Sequence, residues 1–178
     1  MTQKNKKEKE GFTLVETLVA IAVLLLAVTA PLSLATKSLN SSALSKQQIT
    51  ASFLAQEAME YIRNARDENV LVSGSNNWLN GTGATNIVSC LNKKCQVDVV
   101  YQTMTNCPGD VCSPLLYEEA TGLYNTQSGT ASPYTRVVEI ADVINDREIA
   151  ILIKVSWQGP SGINYSVIAR ENLTNWQY

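Results

Sequence analysis

The chain has 178 residues, a formal net charge of −2 and 45% hydrophobic side chains, which is room for one compact domain plus one long element rather than two domains. It contains no histidine, so the commonest general base and the commonest metal ligand are both missing. The first eleven residues hold Lys4, Lys6, Lys7 and Lys9 against Glu8 and Glu10, so the remainder is mildly acidic, without the electrostatic footprint of a nucleic-acid binder.

Residues 1–11 are polar, lysine-rich and end in Gly11. From residue 12 to residue 35 the only ionisable side chain is Glu16. As a helix that run would be about 36 Å long, enough to cross a hydrocarbon core of about 30 Å. A secretory signal also begins with a basic region, but its apolar core is shorter and is followed by a small-residue cleavage site. Here the pattern continues through residues 36–67 without Gly or Pro. In this second stretch Leu44, Ala51, Leu54, Ala55, Ala58 and Ile62 recur at three-, four- and seven-residue spacing, one apolar stripe on a helix. Glu60–Arg63 and Arg63–Asp67 add pairs on its wet side. One helix is therefore predicted from Phe12 to about Arg66, apolar all round in its first half and on one side in its second. Pro31 would free the carbonyl of Ala27, four residues back. Thr29 or Ser33 could supply a hydroxyl for it.

Residues 68–178 read as the head. Residues 72–85 are rich in Gly, Asn, Ser and Thr, as in a connecting loop. Val97, Val99 and Tyr101 alternate as in a half-buried strand. A turn-rich stretch at 103–114, a short segment at 115–117 and an irregular region to Pro133 follow. Residues 135–140, 149–157 and 165–173 are β-branched and aromatic between Asp/Asn and Gly-Pro-Ser-Gly turns, which predicts an antiparallel meander of three strands. The fold class is α+β: one long N-terminal helix packed on a small antiparallel sheet.

Cys90, Cys95, Cys107 and Cys112 lie on the side of the membrane that a positive-inside helix places outside the cytoplasm, where an even count reads as disulfides. Two C-x4-C spacings do not suit zinc, which prefers C-x2-C. Of the three possible pairings, the local one (Cys90–Cys95, Cys107–Cys112) ranks before the nested and the crossed. Asp142, Asn145, Asp146 and Glu148 could offer oxygens to calcium, but their spacing fits no EF-hand loop and suits a solvated hairpin turn. No metal and no cofactor are expected.

Gly11-Phe12-Thr13-Leu14-Val15-Glu16, preceded by lysines and opening an apolar helix, resembles the class III signal of prepilins and pseudopilins. The resemblance implies a type IV pilin-like protein, cleaved between Gly11 and Phe12 by a prepilin peptidase that also methylates the new amine at Phe12. The residues suit that. Gly11 lets the backbone lie extended against a protease, and a lone carboxylate at Glu16 costs at least about 2.5–3.5 kcal/mol in lipid and needs a partner. By the same resemblance that partner is the amine of a neighbouring subunit's Phe12, and Pro31 marks a bend in the anchor. A second likeness, to minor pilins and pseudopilins, covers residues 51–67 (Leu-Ala-Gln-Glu…Glu-x-Ile-Arg). There Leu54, Ala55, Ala58 and Ile62 are predicted to face the sheet. Phe53, Glu57 and Glu60 are predicted to face away, as a candidate subunit contact; a Phe53 covered by a loop of its own head is the alternative.

The implied function is structural: a minor pilin or pseudopilin of a type IV pilus or type II secretion filament, polymerising through its helix. Its implied partners are the peptidase/N-methyltransferase, other pilins, an inner-membrane assembly platform and membrane lipid, with the head outside the cytoplasm. The alternatives are an adhesive or DNA-uptake tip pilin and a membrane-tethered enzyme. The enzyme has no nucleophile elbow, phosphate loop or metal cluster behind it, and Lys93-Lys94 is slight support for nucleic acid.

Overall fold

The computed structural model describes Gly11 and residues 13–73, 77–81, 86–159 and 162–175. Helix α1 is Leu14–Ser73, about two turns longer than its apolar stripe alone suggests. At its start the Thr13 hydroxyl accepts the Glu16 N–H at 3.3 Å, satisfying one of the amides a helix leaves free. The helix continues through Pro31. The Thr29 hydroxyl donates to Leu25 O (2.9 Å) and the Ser33 hydroxyl to Thr29 O (3.1 Å), so both serve carbonyls other than that of Ala27.

The chain divides into two units at Ser42/Ala43. In the first, every described residue is exposed, and α1 contains a window of mean hydropathy 2.5 with none of it buried. An apolar helix with no protein around it fits lipid.

In the second unit the sheet-facing side of α1 is rich in alanine. Ala51, Ala55, Ala58 and Ala65 are at most 3% exposed and let the helix approach the sheet closely; Leu54, Met59 and Ile62 fill between them. Opposite lies a five-stranded antiparallel sheet in the order β2-β1-β6-β7-β8: β1 Lys94–Asp98, β2 Thr103–Asn106, β6 Thr135–Ile144, β7 Glu148–Gln158 and β8 Asn164–Thr174. The last three form the expected meander, with Ile140 opposite Ile151 and Ile153 opposite Ala169. Alternation buries Val138 and Ile140, and Ile149, Ile151, Ile153 and Val155, under α1. A small sheet of β3 Leu116–Glu118, β4 Leu123–Asn125 and β5 Thr130–Ala131 forms where irregular chain was expected. Gly129 is obligatory there: its φ is +110°, and a Cβ would sit 2.4 Å from Tyr117 O.

Two more details depart from the pattern. The strand expected through Val99 and Tyr101 stops at Asp98, because the buried Asp98 carboxylate accepts the Tyr101 N–H (3.0 Å) and closes a turn. The same carboxylate takes the Thr126 N–H and hydroxyl at 2.6 and 2.7 Å, tying the small sheet to β1. Asp67 pairs with Arg66 rather than Arg63. Both disulfides are local, Cys90–Cys95 and Cys107–Cys112, with Cα–Cα distances of 5.8 and 4.8 Å. Loops this short restrict the unfolded chain by about 2 kcal/mol each.

An aromatic run, Tyr117–Tyr124–Tyr134–Trp157–Tyr165, joins the two sheets with ring centroids 5.1 to 6.2 Å apart. Burial pushes the hydroxyls of Tyr61, Tyr124 and Tyr134 above the ordinary value of 10.0, with Asp98 and Glu68 adding to the effect at Tyr61. A folded pKa above the unfolded one means that this contribution to stability is intact below pH 10 and lost as pH rises through the folded values. In an alkaline titration followed by tyrosinate absorbance, these three of the seven tyrosines should ionise late, together with loss of tryptophan fluorescence from the head. Seven equal ionisations near pH 10 with the head still folded would contradict their burial.

Candidate processing and assembly site

The predicted site residues fall into two groups, one at the start of α1 and one along its packed half. Gly11 is exposed, and a Cβ on it would meet nothing within 4 Å. The leader residues 1–10 and Phe12 lie outside the described residues. Glu16 is exposed in the first turn of α1, where the free amides and helix dipole favour a negative charge by about 0.3–1 kcal/mol. Among the described residues its carboxylate has neither an ion pair nor a hydrogen bond. That leaves a charged group one turn into an apolar span, stabilised by its own helix but not neutralised. Pro31 lies on the same exposed span.

On the packed half, Phe53 is 65% exposed among the described residues. Glu60 is exposed and pairs with Arg63, whose guanidinium also binds Glu171 on β8. Neighbouring acids and the Glu171 hydrogen bond foremost raise the Arg63 pKa further above its ordinary value. Glu57 corrects the expectation that it faces away from the sheet. It turns inward, only one-third exposed, and its carboxylate lies 2.7 Å from Arg136 Nη1.

Arg136 is the residue that sequence reasoning missed. It stands on β6, fully buried, where Nη1 also donates to Leu54 O (2.9 Å) and Nη2 to Val97 O (2.5 Å). One guanidinium thus ties α1, β1 and β6 together. A signal was available: Arg136 shares the inward phase of its strand with Val138 and Ile140, and a charge in that phase needs buried partners.

A groove of about 550 Å³ lies on the other face of the sheet around Lys94, Glu139, Leu152 and Arg170. Among the described residues no group of three or more potential ligands could hold a metal ion.

A family model described as the prokaryotic N-terminal methylation motif matches residues 6–30. That span takes in Gly11, Glu16 and most of the exposed apolar helix. No curated protein and no solved structure matches the chain.

Proposed function

We propose that this type IV pilin-like chain is a structural subunit, a minor pilin or pseudopilin, that is cleaved after Gly11, methylated at Phe12 and polymerised through α1. The observation that carries the reading is the methylation motif over residues 6–30 at the head of a helix that is apolar, exposed and long enough to span a membrane. Methylation at Phe12 would leave a cationic amine close to where Glu16 of an adjacent copy needs a counter-charge. In this reading the peptidase/N-methyltransferase acts from the membrane, the assembly platform extracts the processed chain, and the head stands outside the cytoplasm. Disulfides at Cys90–Cys95 and Cys107–Cys112 suit that oxidising side.

Processing should depend on Gly11. In Gly11→Val a branched side chain would crowd the extended backbone at the scissile bond, and full-length protein with the lysine leader attached should accumulate. Mass spectrometry of the normal protein should show an N-terminus at methylated Phe12. An intact N-terminus at residue 1 in the normal protein overturns the prepilin reading.

A further inference from the structure

The face of the five-stranded sheet turned away from α1 is ordered into rows by strand register. Lys94, Glu139, Leu152 and Arg170 stand side by side on β1, β6, β7 and β8. The next row is Val137, Lys154 and Ile168, and the one after it is Thr135, Ser156 and Ser166. None of these residues is buried. Grooves of about 550 and 520 Å³ run over the first row and the last. The disulfide-closed 107–113 loop borders the β1 side, where the Gln96 amide donates to Ser113 O. Charge is segregated on the head. Residues 43–178 hold nine Lys and Arg against thirteen Asp and Glu, yet four of the nine, Lys93, Lys94, Lys154 and Arg170, line these two grooves. Among the described residues none of the four makes an ion pair, whereas Arg63, Arg66 and Arg136 all do. Only Glu139 and Asp110 oppose them in the grooves. An acidic head thus presents one cationic face, with an aliphatic middle and a row of hydroxyls.

We propose that this face binds a carboxylate-bearing polysaccharide. Lys154 and Arg170 are diagonal neighbours, about 7–8 Å apart at the backbone, and Lys94 lies three strand spacings, about 14 Å, from Arg170. An acidic polysaccharide spaces its carboxylates by whole sugar rings, so cations set this far apart can each hold one by a charge-assisted hydrogen bond. Between them Val137, Leu152 and Ile168 offer a floor to the C–H faces of the rings. The hydroxyls of Thr135, Ser156 and Ser166 can both donate to and accept from ring hydroxyls. Nucleic acid fits this face less well. The three rows contain no aromatic side chain on which a base could stack. Four cations diluted by two acids are also sparse beside a strand with a charge about every 3.4 Å. A polyanion without hydroxyls would leave the third row unused. The proposal rests on the filament reading only for placing the head outside the cytoplasm, where such a polymer is met; binding itself belongs to the head.

The test uses the purified full chain in detergent over immobilised polygalacturonate, with dextran, polyglutamate and duplex DNA as comparisons, by surface plasmon resonance. The chain should bind polygalacturonate and not neutral dextran, more weakly as salt rises. Lys154→Glu with Arg170→Glu should weaken binding about tenfold, and Glu139→Gln should strengthen it about twofold. Thr135→Val with Ser166→Ala should weaken it about threefold without changing its salt dependence, which marks a contribution that charge alone does not make. All these side chains face away from the core, so unfolding followed through the buried Trp78 and Trp157 should not move. Polyglutamate held as tightly as polygalacturonate overturns the sugar, and duplex DNA held more tightly overturns the choice of polymer. Charge reversal without effect on binding overturns the face. Loss of the charge-reversed chain from sheared filaments gives the face to another subunit and overturns the proposal too. A normal chain that keeps its leader yet binds polygalacturonate overturns the prepilin reading and supports this one.

Discussion

Glu16→Ala chains are expected to insert and to lose their leader, yet to fall by at least about thirtyfold in sheared filaments. Removing the carboxylate relieves a cost of at least about 2.5–3.5 kcal/mol in lipid, so insertion becomes easier. The start of the helix survives, because the Thr13 hydroxyl accepts the backbone N–H of residue 16, whatever its side chain. The lost dipole contribution, about 0.3–1 kcal/mol, is small beside the lost counter-charge. An ion pair at about 4 Å in a medium of effective dielectric 20 is worth about 4 kcal/mol, and half of that is already about thirtyfold. Glu16→Gln, which keeps the shape without the charge, should lose as much. The measurement is immunoblotting of processed chain in membrane and filament fractions. Normal filament levels of processed Glu16→Ala would sink the charge-pairing mechanism.

Arg136→Met should destabilise the head by about 3 kcal/mol, lowering its melting point by about 10 °C. The methionine fills most of the volume but removes the donors that Leu54 O, Val97 O and Glu57 now share. Glu57→Gln should cost under about 1 kcal/mol, because its carboxylate is one-third exposed and water screens and replaces the pair. Comparing the two variants separates the clamp from the ion pair. Thermal unfolding of the detergent-solubilised full chain can be followed through Trp78 and Trp157, both buried in the head. Equal losses from the two substitutions would show that the ion pair, not the three-element tie, carries the stability.

Much of the architecture was legible because it depends on periodicity within one segment. The apolar run, its change to a one-sided stripe at Ala51, Ala55, Ala58 and Ile62, and the alternation along β6, β7 and β8 are each visible without knowing any neighbour. The motif from Gly11 to Glu16 is local in the same way, and so are disulfide pairs only five residues apart. Phe53 was singled out from its place on the helix, and it is exposed among the described residues.

What only the tertiary structure decided involves partners far along the chain. Asp98 ends β1 early and reaches 28 residues ahead to Thr126. Arg136 reaches back 39 residues to Val97 and 82 to Leu54, and in doing so turns Glu57 inward from the face its helical position suggested. The three strands of the small sheet are two or three residues long, too short to show alternation, and exist because a neighbour pairs with them. Periodicity reports which side of an element is apolar. It is silent on which buried polar atom will need which distant donor, because that cost arises only when the elements close on one another and water leaves.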